Sequence, residues 1–410
     1  MKNLRLFLCA SVTSAGLIWA GAAAAQTAPA AAPAAPAPAP APYPAFGPTI
    51  SANGAPVSFD AGPLGKLTVS GDFSGMVYAQ DNPAYALPNG FNGPAKLNSD
   101  EGVDFTNALV MVQKTDGPIQ FFVAAGAYSF PTLGTGYLKA VDQTRLTFDA
   151  APEAFVKIVP NANFSILAGQ LPTLIGAEGA FTFQNVDIQR GLLWGVEPLF
   201  SKGVQLNFTE GPWALSVSWN DGFYSNELTT GSGLLSYTFK NSDVLSFAGS
   251  GNFSKNYNSS PFSPAKAPFA TPLALQEGDI FNIIYSHTQG PWTITPYFQY
   301  QTVPNVKNVT PSGSSYGGAV LVKYSFTPEF SVGARGEYLT SDGKANMIFY
   351  GPGASAWSLT LTPTYQKGIF WVRGEVSYTS ISGESPGFGF GALGDKSEQV
   401  RGLLEAGVSF

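Results

Sequence analysis

Three short stretches near the end of the chain carry arginine and glutamate at even spacing. The pairs are Arg335 and Glu337, Arg373 and Glu375, and Arg401 and Glu405. Residues at even spacing lie on one face of a β-strand, so each pair would share a face. A charge on the lipid-facing side of a membrane strand costs about 2–4 kcal/mol, so such a face would point inward. The six charges could set up a transverse field for polar solutes or form an ion-pair network within a wall.

Two other clusters bear on metal binding and catalysis. Asp100, Glu101 and Asp104 could hold a divalent cation, but they lack the spacing of a calcium loop, and a solvated loop is favoured. His287 is the only histidine and follows Ser286 directly. Neighbours in a strand face opposite ways, so these two cannot work as base and nucleophile. We therefore expect no enzyme, no metal site and no cofactor.

The elements that would position these residues show a period of two. Residues 66–80 read KLTVSGDFSGMVYAQ and place apolar or small residues on one face and mainly polar residues on the other. Similar alternation recurs at residues 204–209, 213–220 and 357–364. Only 12% of residues are charged, about half the usual share, and beyond the first 25 residues no run of about 20 apolar residues occurs. These features predict an all-β transmembrane antiparallel β-barrel.

The connections between the predicted strands alternate in length. Seven short turns begin near residues 116, 160, 210, 240, 289, 327 and 366, and eight longer loops begin near residues 81, 131, 172, 221, 256, 304, 342 and 381. Fifteen connections join about 16 strands, with 14 or 18 as alternatives. Short periplasmic turns at one rim and long extracellular loops at the other are typical of outer-membrane barrels.

The N-terminal region predicts export and a leader. Residues 1–25 have a basic start, an apolar core and small residues before Gln26, as in a cleaved signal peptide. Residues 26–63 form a Pro/Ala-rich segment, expected to be a disordered periplasmic leader, and residues 64–410 would form the barrel. Without the signal, 19 basic residues face 27 acidic ones, which argues against a nucleic-acid partner.

Short motifs near the centre of the chain resemble the putative beta-barrel porin-2 family. The motifs are Gly169, Pro172, Thr173, Ile175 and Gly176, followed by Gly203 and Val204. The general likeness covers residues 65–410. It implies a bacterial outer-membrane porin that passes small hydrophilic solutes by diffusion. A substrate-selective channel for sugars or organic ions, and a structural or adhesive barrel without an open pore, remain alternatives.

The resemblance also implies a role for the third long loop, residues 172–199. In general porins of 16 strands this loop folds into the barrel, so Glu178, Asp187 and Arg190 would join the six strand charges at a constriction. An ordinary solvated extracellular loop is the alternative. The expected partners are outer-membrane lipid and lipopolysaccharide, the barrel-assembly machinery acting on the C-terminal strand, the solutes, and two further copies in a homotrimer.

The tripeptide Gly-Pro-Trp occurs twice, ending at Trp213 and Trp292. Each copy follows a short turn and opens a strand, so we expect these tryptophans in the aromatic belt at the membrane interface. Trp219 and the terminal Phe410 are placed in the same belt.

Overall fold

The computed structural model describes residues 56–84, 99–223, 227–254 and 273–410. The chain is built almost entirely from β-strands. They are β1 Val57–Asp60, β2 Lys66–Gln80, β3 Glu101–Lys114, β4 Ile119–Tyr128, β5 Glu153–Asn161, β6 Phe164–Pro172, β7 Phe200–Glu210, β8 Trp213–Asn220, β9 Thr230–Thr238, β10 Val244–Asn252, β11 Asp279–Gln289, β12 Trp292–Val303, β13 Gly313–Ser325, β14 Phe330–Gly343, β15 Ser355–Lys367, β16 Phe370–Ser382 and β17 Glu398–Ser409. In these parts of the chain no helix is both long and apolar enough to cross a bilayer.

Strands β2 to β17 form a closed antiparallel barrel of 16 strands, as predicted. Each strand pairs with its neighbours in chain order, and β17 closes the ring by pairing with β2, for example Arg401 with Gln80. Closure removes both sheet edges and satisfies the backbone of every strand, which a bilayer requires. The alternatives of 14 and 18 strands are excluded.

The alternation of side chains explains why these segments form membrane strands. On β15, Trp357 and Leu359 are 41% and 58% exposed on the outer face, while Ser358 and Thr360, which alternate with them, are buried on the inner face. Large apolar residues on the outside suit lipid, and hydroxyls on the inside suit a polar interior.

The connections follow the predicted two-rim pattern. Seven short turns, such as 211–212 and 290–291, lie at one rim, and eight longer loops lie at the other. The second long loop holds helix α1, Ala140–Leu146, which the sequence pattern did not reveal. Its first amide, at Ala140, donates to Asp104 at 2.7 Å, so a carboxylate of β3 satisfies one of the unpaired amides at the helix N-terminus.

The end of the segment predicted as leader differs from expectation. Strand β1 pairs with the first residues of β2, from Val57 with Val69 to Asp60 with Lys66. β2 extends six residues beyond its last pair with β17, Asp72 with Ser409, and β1 pairs with the first four of these six. Val57 and Phe59 of β1 alternate with polar residues. The predicted signal peptide and most of the leader lie outside the described residues.

Candidate functional site

The six charges on the last strands all lie on the inner face of the barrel. We call them the charged wall: Arg335 and Glu337 on β14, Arg373 and Glu375 on β16, and Arg401 and Glu405 on β17. None is more than 6% exposed. Their strand neighbours on the outer face are apolar, for instance Val372 and Val376. Period-two alternation therefore fixes the direction of these side chains.

The third long loop, residues 173–199, supplies carboxylates to Arg335. The guanidinium contacts Glu178 at 2.5 Å and Asp187 at 3.7 Å, and its Nε lies 3.2 Å from Glu337 of its own strand. Arg335 also donates to the carbonyl of Gln189 at 2.9 Å. Three carboxylates thus surround one buried arginine, which links the loop to β14.

A second contact point joins the loop to β16 and β17. Arg373 forms an ion pair with Glu405 at 2.7 Å and donates to the carbonyl of Asn185 at 3.2 Å. Glu405 accepts from Thr182 of the loop at 2.6 Å. Thr106 of β3 also donates to Glu405. It is the extra residue at a β-bulge, because Ser74 pairs with Asn107 and Gly75 with Phe105.

Gln189 is the third contact point, and no pattern in the sequence predicts its role. Its side chain donates to Glu375 at 2.6 Å and accepts from Arg401 at 2.8 Å. The amide of Ile188 also donates to Glu375. Arg401 reaches further, to the carbonyls of Thr132 at 3.1 Å and Thr135 at 2.6 Å in the second loop. An amide side chain can bridge an acid and a base because it both donates and accepts.

Arg190 does not join the ion pairs of the charged wall. Its guanidinium lies 5.9 Å from the ring of Phe130 and 5.6 Å from that of Trp194. It donates to the carbonyls of Ile188 at 2.9 Å and Ser129 at 3.2 Å. Among the described residues it has no carboxylate within 4 Å. The structure therefore places Arg190 between two aromatic rings, where it connects the second and third loops.

Two buried carboxyl groups of the third loop, Glu178 and Glu197, have raised pKa values because nearby groups do not offset the cost of burying their charge. Burial raises the pKa of Glu178 to about 7, against the opposing effect of Arg335. Burial, and then the nearby Glu178 and Glu337, hold the pKa of Glu197 well above its ordinary value. Glu197 packs against Gly176, whose positive φ of 87° favours glycine and where a β-carbon would collide with that carboxylate. Glu178 therefore changes its protonation state near neutral pH.

An apolar layer holds the same loop from another side. Leu174, Ile175, Leu192, Leu193 and Val196 belong to one buried cluster with residues of the seventh loop, including Met347, Ile348 and Tyr350. Inward-facing strand residues complete the cluster, among them Ile284, Leu321, Leu339 and Ala356. The loop is therefore fixed by apolar packing as well as by charge.

The inner face opposite the charged wall carries no charge and is mainly polar, apart from Leu234 on β9 and Ala248 on β10, which belong to the apolar cluster described above. We call it the neutral wall: Asn207 on β7, Ser216, Ser218 and Asn220 on β8, Ser232 and Ser236 on β9, and Ser246 and Ser250 on β10. In a ring of 16 strands, β8 lies eight positions from β16, directly across the barrel. Asn207 accepts from Ser216 at 2.7 Å, and Ser232 donates to Ser250 at 3.0 Å. Small hydroxyls and amides thus bond mainly to one another.

The remaining candidate residues occupy other places. Asp104 accepts from Tyr137 and from the helix N-terminus, while Asp100 and Glu101 are exposed; in the described ranges, no group of three possible ligands could hold a metal ion. His287 contacts Asp243 at 2.8 Å at the rim with short turns.

The aromatic candidates lie on the outside. Trp213, Trp219 and Trp292 are 45–55% exposed, and Phe410 stacks on Phe73 at 5.9 Å. Trp213 and Trp292 lie beside Tyr237 and Tyr324, each at 4.6 Å. Phe239 continues the first row and Phe326 the second. These two rows form aromatic ladders at the turn rim, where an interface belt is expected.

The closed barrel, its apolar outer band and its polar interior define an outer-membrane barrel of the porin class. The family model described as putative beta-barrel porin-2, OmpL-like, matches residues 66–410, and the chain belongs to this family. The family and the fold indicate the bacterial outer membrane. No curated protein matches the chain.

Several solved outer-membrane proteins share the fold at low sequence identity. The outer membrane channel DcaP of Acinetobacter baumannii is 12% identical, with 87% of this chain and 100% of that chain covered and a TM-score of 0.54. OmpT of Vibrio cholerae is 10% identical, with 87% and 100% covered and a TM-score of 0.52. OprB of Pseudomonas putida is 10% identical, with 84% and 94% covered and a TM-score of 0.52.

Proposed function

We propose that the protein is a porin that passes small hydrophilic solutes through the outer membrane by diffusion, narrowed by the third long loop. The observation that carries this proposal is the attachment of that loop to the charged wall. From Glu178 to Leu192 it is held by ion pairs and hydrogen bonds to Arg335, Glu337 and Glu375. A loop fixed to one wall reduces the cross-section and leaves the route along the opposite wall.

The solute in this proposal moves between the third loop and the neutral wall. The inward positions of β7 to β10 carry no charged residue, so this side offers hydrogen bonds without a fixed charge. That composition supports the second candidate, a channel selective for neutral hydroxyl-rich solutes such as sugars. Organic ions are less favoured, because the arginines are engaged by carboxylates, carbonyls and amide side chains.

The barrel has no catalytic role in this proposal. Among the described residues, the hydrogen-bond partner of the His287 side chain is Asp243. The partners that we propose are lipopolysaccharide at the rim with long loops and the assembly machinery at β17. A homotrimer is the proposed assembly, in line with the trimer form known for OmpT of Vibrio cholerae.

Cysteine labelling with conductance measurements tests the route. The only cysteine is Cys9, within the predicted signal peptide, so a mature chain can carry a single introduced thiol. Ser218→Cys lies on the neutral wall, and Val217→Cys, its strand neighbour, is 49% exposed on the lipid face. In planar bilayers, a charged thiol reagent should reduce single-channel conductance of the first variant and leave the second unchanged. Thr360→Cys tests the charged wall: the Thr360 hydroxyl accepts from Arg335 at 3.5 Å and the third loop is bound to that arginine, so the reagent should react there more slowly.

Three results would count against the proposal. Absence of conductance from folded wild-type protein would reject the channel and favour a structural or adhesive barrel. Equal effects at positions 217 and 218 would reject the proposed route. A strong preference for small ions of one sign would argue against a path along an uncharged wall.

A further inference from the structure

The outer face of the barrel carries a groove across four strands. Its volume is about 590 Å³, within the usual range for a ligand pocket. It is lined by residues of β11 to β14, among them Ile283, Tyr285, Pro296, Phe298, Val320 and Tyr338. The outward side chains Ile283 and Phe298 are 48% and 46% exposed. The groove is therefore an apolar depression in the surface that contacts lipid.

Two glycines on the lining make this depression. Gly318 of β13 lies opposite Tyr338 of β14, and Gly336 of β14 lies opposite Val320 of β13. Each glycine therefore leaves space beside a larger side chain on the adjacent strand. Tyr285 lies four residues before the end of β11, and Gly336 lies six residues after the start of β14. Both distances are counted from the rim with short turns, so the groove runs from the middle of the strands toward the periplasmic rim.

A polar cluster adjoins the groove at its periplasmic end. The hydroxyl of Tyr285, a lining residue, donates to Asp243. The same carboxylate accepts from Asn241 at 2.8 Å and contacts Nδ1 of His287 at 2.8 Å. The Asp243 side chain is 4% exposed, whereas that of His287 is 30% exposed. With Nδ1 held by the carboxylate, Nε2 is the ring nitrogen left for another partner.

The aromatic ladders fix the depth of this cluster. Tyr285 lies 6.5 Å from Phe239, the last ring of the ladder that starts at Trp213. His287 pairs with Ile294, two residues after Trp292. Aromatic ladders of this kind lie at the level of lipid headgroups. The imidazole therefore stands at headgroup depth directly below an apolar groove.

We propose that this groove binds one phospholipid of the periplasmic leaflet. One acyl chain lies along Gly318 and Gly336, and the headgroup phosphate accepts a hydrogen bond from Nε2–H of His287 in its imidazolium form, whose Nδ1–H donates to Asp243. A phospholipid matches the site from the membrane interior to the rim. Its apolar acyl chain would lie in the groove, and its anionic phosphate would lie beside the imidazole. A second copy of the protein would fill the apolar part equally well, but the half-exposed imidazole at the end requires a polar partner at headgroup depth.

Native mass spectrometry of the full barrel released from mixed micelles tests the proposal. The probes are phosphatidylethanolamine and a diacylglycerol with the same acyl chains. Gly336→Leu fills the groove, since a β-carbon there meets only Leu359 at 3.5 Å. Gly374→Leu is the matched control, because Gly374 also faces lipid and its β-carbon would meet only a carbonyl at 3.9 Å. We expect one retained phospholipid per chain, reduced about tenfold or more in Gly336→Leu and unchanged in the control.

The variant His287→Phe tests the contribution of the headgroup separately from that of the acyl chain. It keeps a ring at the rim and removes Nε2, so the preference for phospholipid over diacylglycerol should fall by about tenfold while diacylglycerol binding persists. Equal retention by wild type and Gly336→Leu would overturn the proposal. So would wild-type oligomers without lipid that dissociate in Gly336→Leu, because that result would assign the groove to a second copy. Heat-modifiable migration on gels confirms that each variant is folded.

Discussion

The charged wall and the neutral wall face each other across the same barrel and differ in what their side chains contact. On the charged wall, Arg335, Glu337 and Glu375 contact the third loop. On the neutral wall, Asn207, Ser216 and Ser232 contact mainly small polar neighbours on their own and adjacent strands. Charges on the inner face therefore serve to hold a loop, while uncharged groups remain for the route we propose.

The difference follows from the cost of burying charge. A buried ion is stable only when partners replace its water, and loop carboxylates, amides and carbonyls are those partners here. Serine and asparagine carry a smaller desolvation cost and satisfy one another locally. The charged wall is therefore stabilised by contacts with the third loop, whereas the polar groups of the neutral wall find their partners mainly on neighbouring strands.

The largest expected effect is on the charged wall. Arg335→Ala leaves Glu178, Asp187 and Glu337 buried without their shared cation, and should cost about 3–5 kcal/mol of unfolding free energy. The third loop should detach and single-channel conductance should rise. Urea unfolding in detergent and planar-bilayer recordings measure the two results. The control is Arg145→Ala, whose ion pair with Asp142 is exposed and should contribute well under about 1 kcal/mol. Equal costs in both variants would contradict the assigned role.

The second prediction concerns pH. The folded pKa of Glu178 is about 7, above its ordinary value of 4.5, so the folded state binds more protons between these values. Its contribution to stability is full below pH 4.5 and is lost as the pH rises through about 7, for a loss of up to about 3 kcal/mol. Unfolding midpoints between pH 4.5 and 7.5 measure this loss, which Glu178→Gln should reduce. The same slope in wild type and variant would exclude Glu178 as its source.

A smaller effect is expected on the neutral wall. Asn207→Ala removes bonds to Gln205 and Ser216 at 2.7 Å and to Ser165 at 3.2 Å, and should cost about 1–2 kcal/mol. Because no loop depends on these bonds, the conductance should change much less than in Arg335→Ala. The same unfolding and bilayer measurements apply. A larger loss of unfolding free energy in Asn207→Ala than in Arg335→Ala would show that the neutral wall contributes more to stability, contrary to this comparison.

The smallest effect lies outside both walls. Trp213 and Trp292 stack edge-on against a tyrosine in the same geometry, 4.6 Å and 63° in both cases. Either change to alanine should cost about 0.5–1.5 kcal/mol, and the two costs should agree. Thermal unfolding in lipid measures both, with phenylalanine variants as controls that keep a ring. Unequal costs would show that the two turns differ in ways that their shared tripeptide does not reveal.

Much of the site was predictable, but not its contacts. Even spacing placed Arg373 and Glu375 on the inner face, because strand periodicity is local. Arg190 is an arginine like Arg335 and lies in the same loop as Glu178, yet it sits between two aromatic rings. Nothing in its local sequence separates these environments. Gln189 and Thr106 gave no signal, since their roles depend on a loop path and a bulge.

The sequence by itself determined the barrel, its 16 strands, its seven turns and eight loops, and the face on which each charge lies. These follow from short-range patterns, because a bilayer requires every strand to alternate and every backbone group to pair. Only the tertiary structure decided which charges meet, where Arg190 lies, and that β1 pairs with the exposed start of β2. The charge contacts join residues far apart in the chain, such as Glu178 and Arg335, and Arg190 contacts Ser129 in another loop. The pairing of β1 depends on where β17 ends along β2.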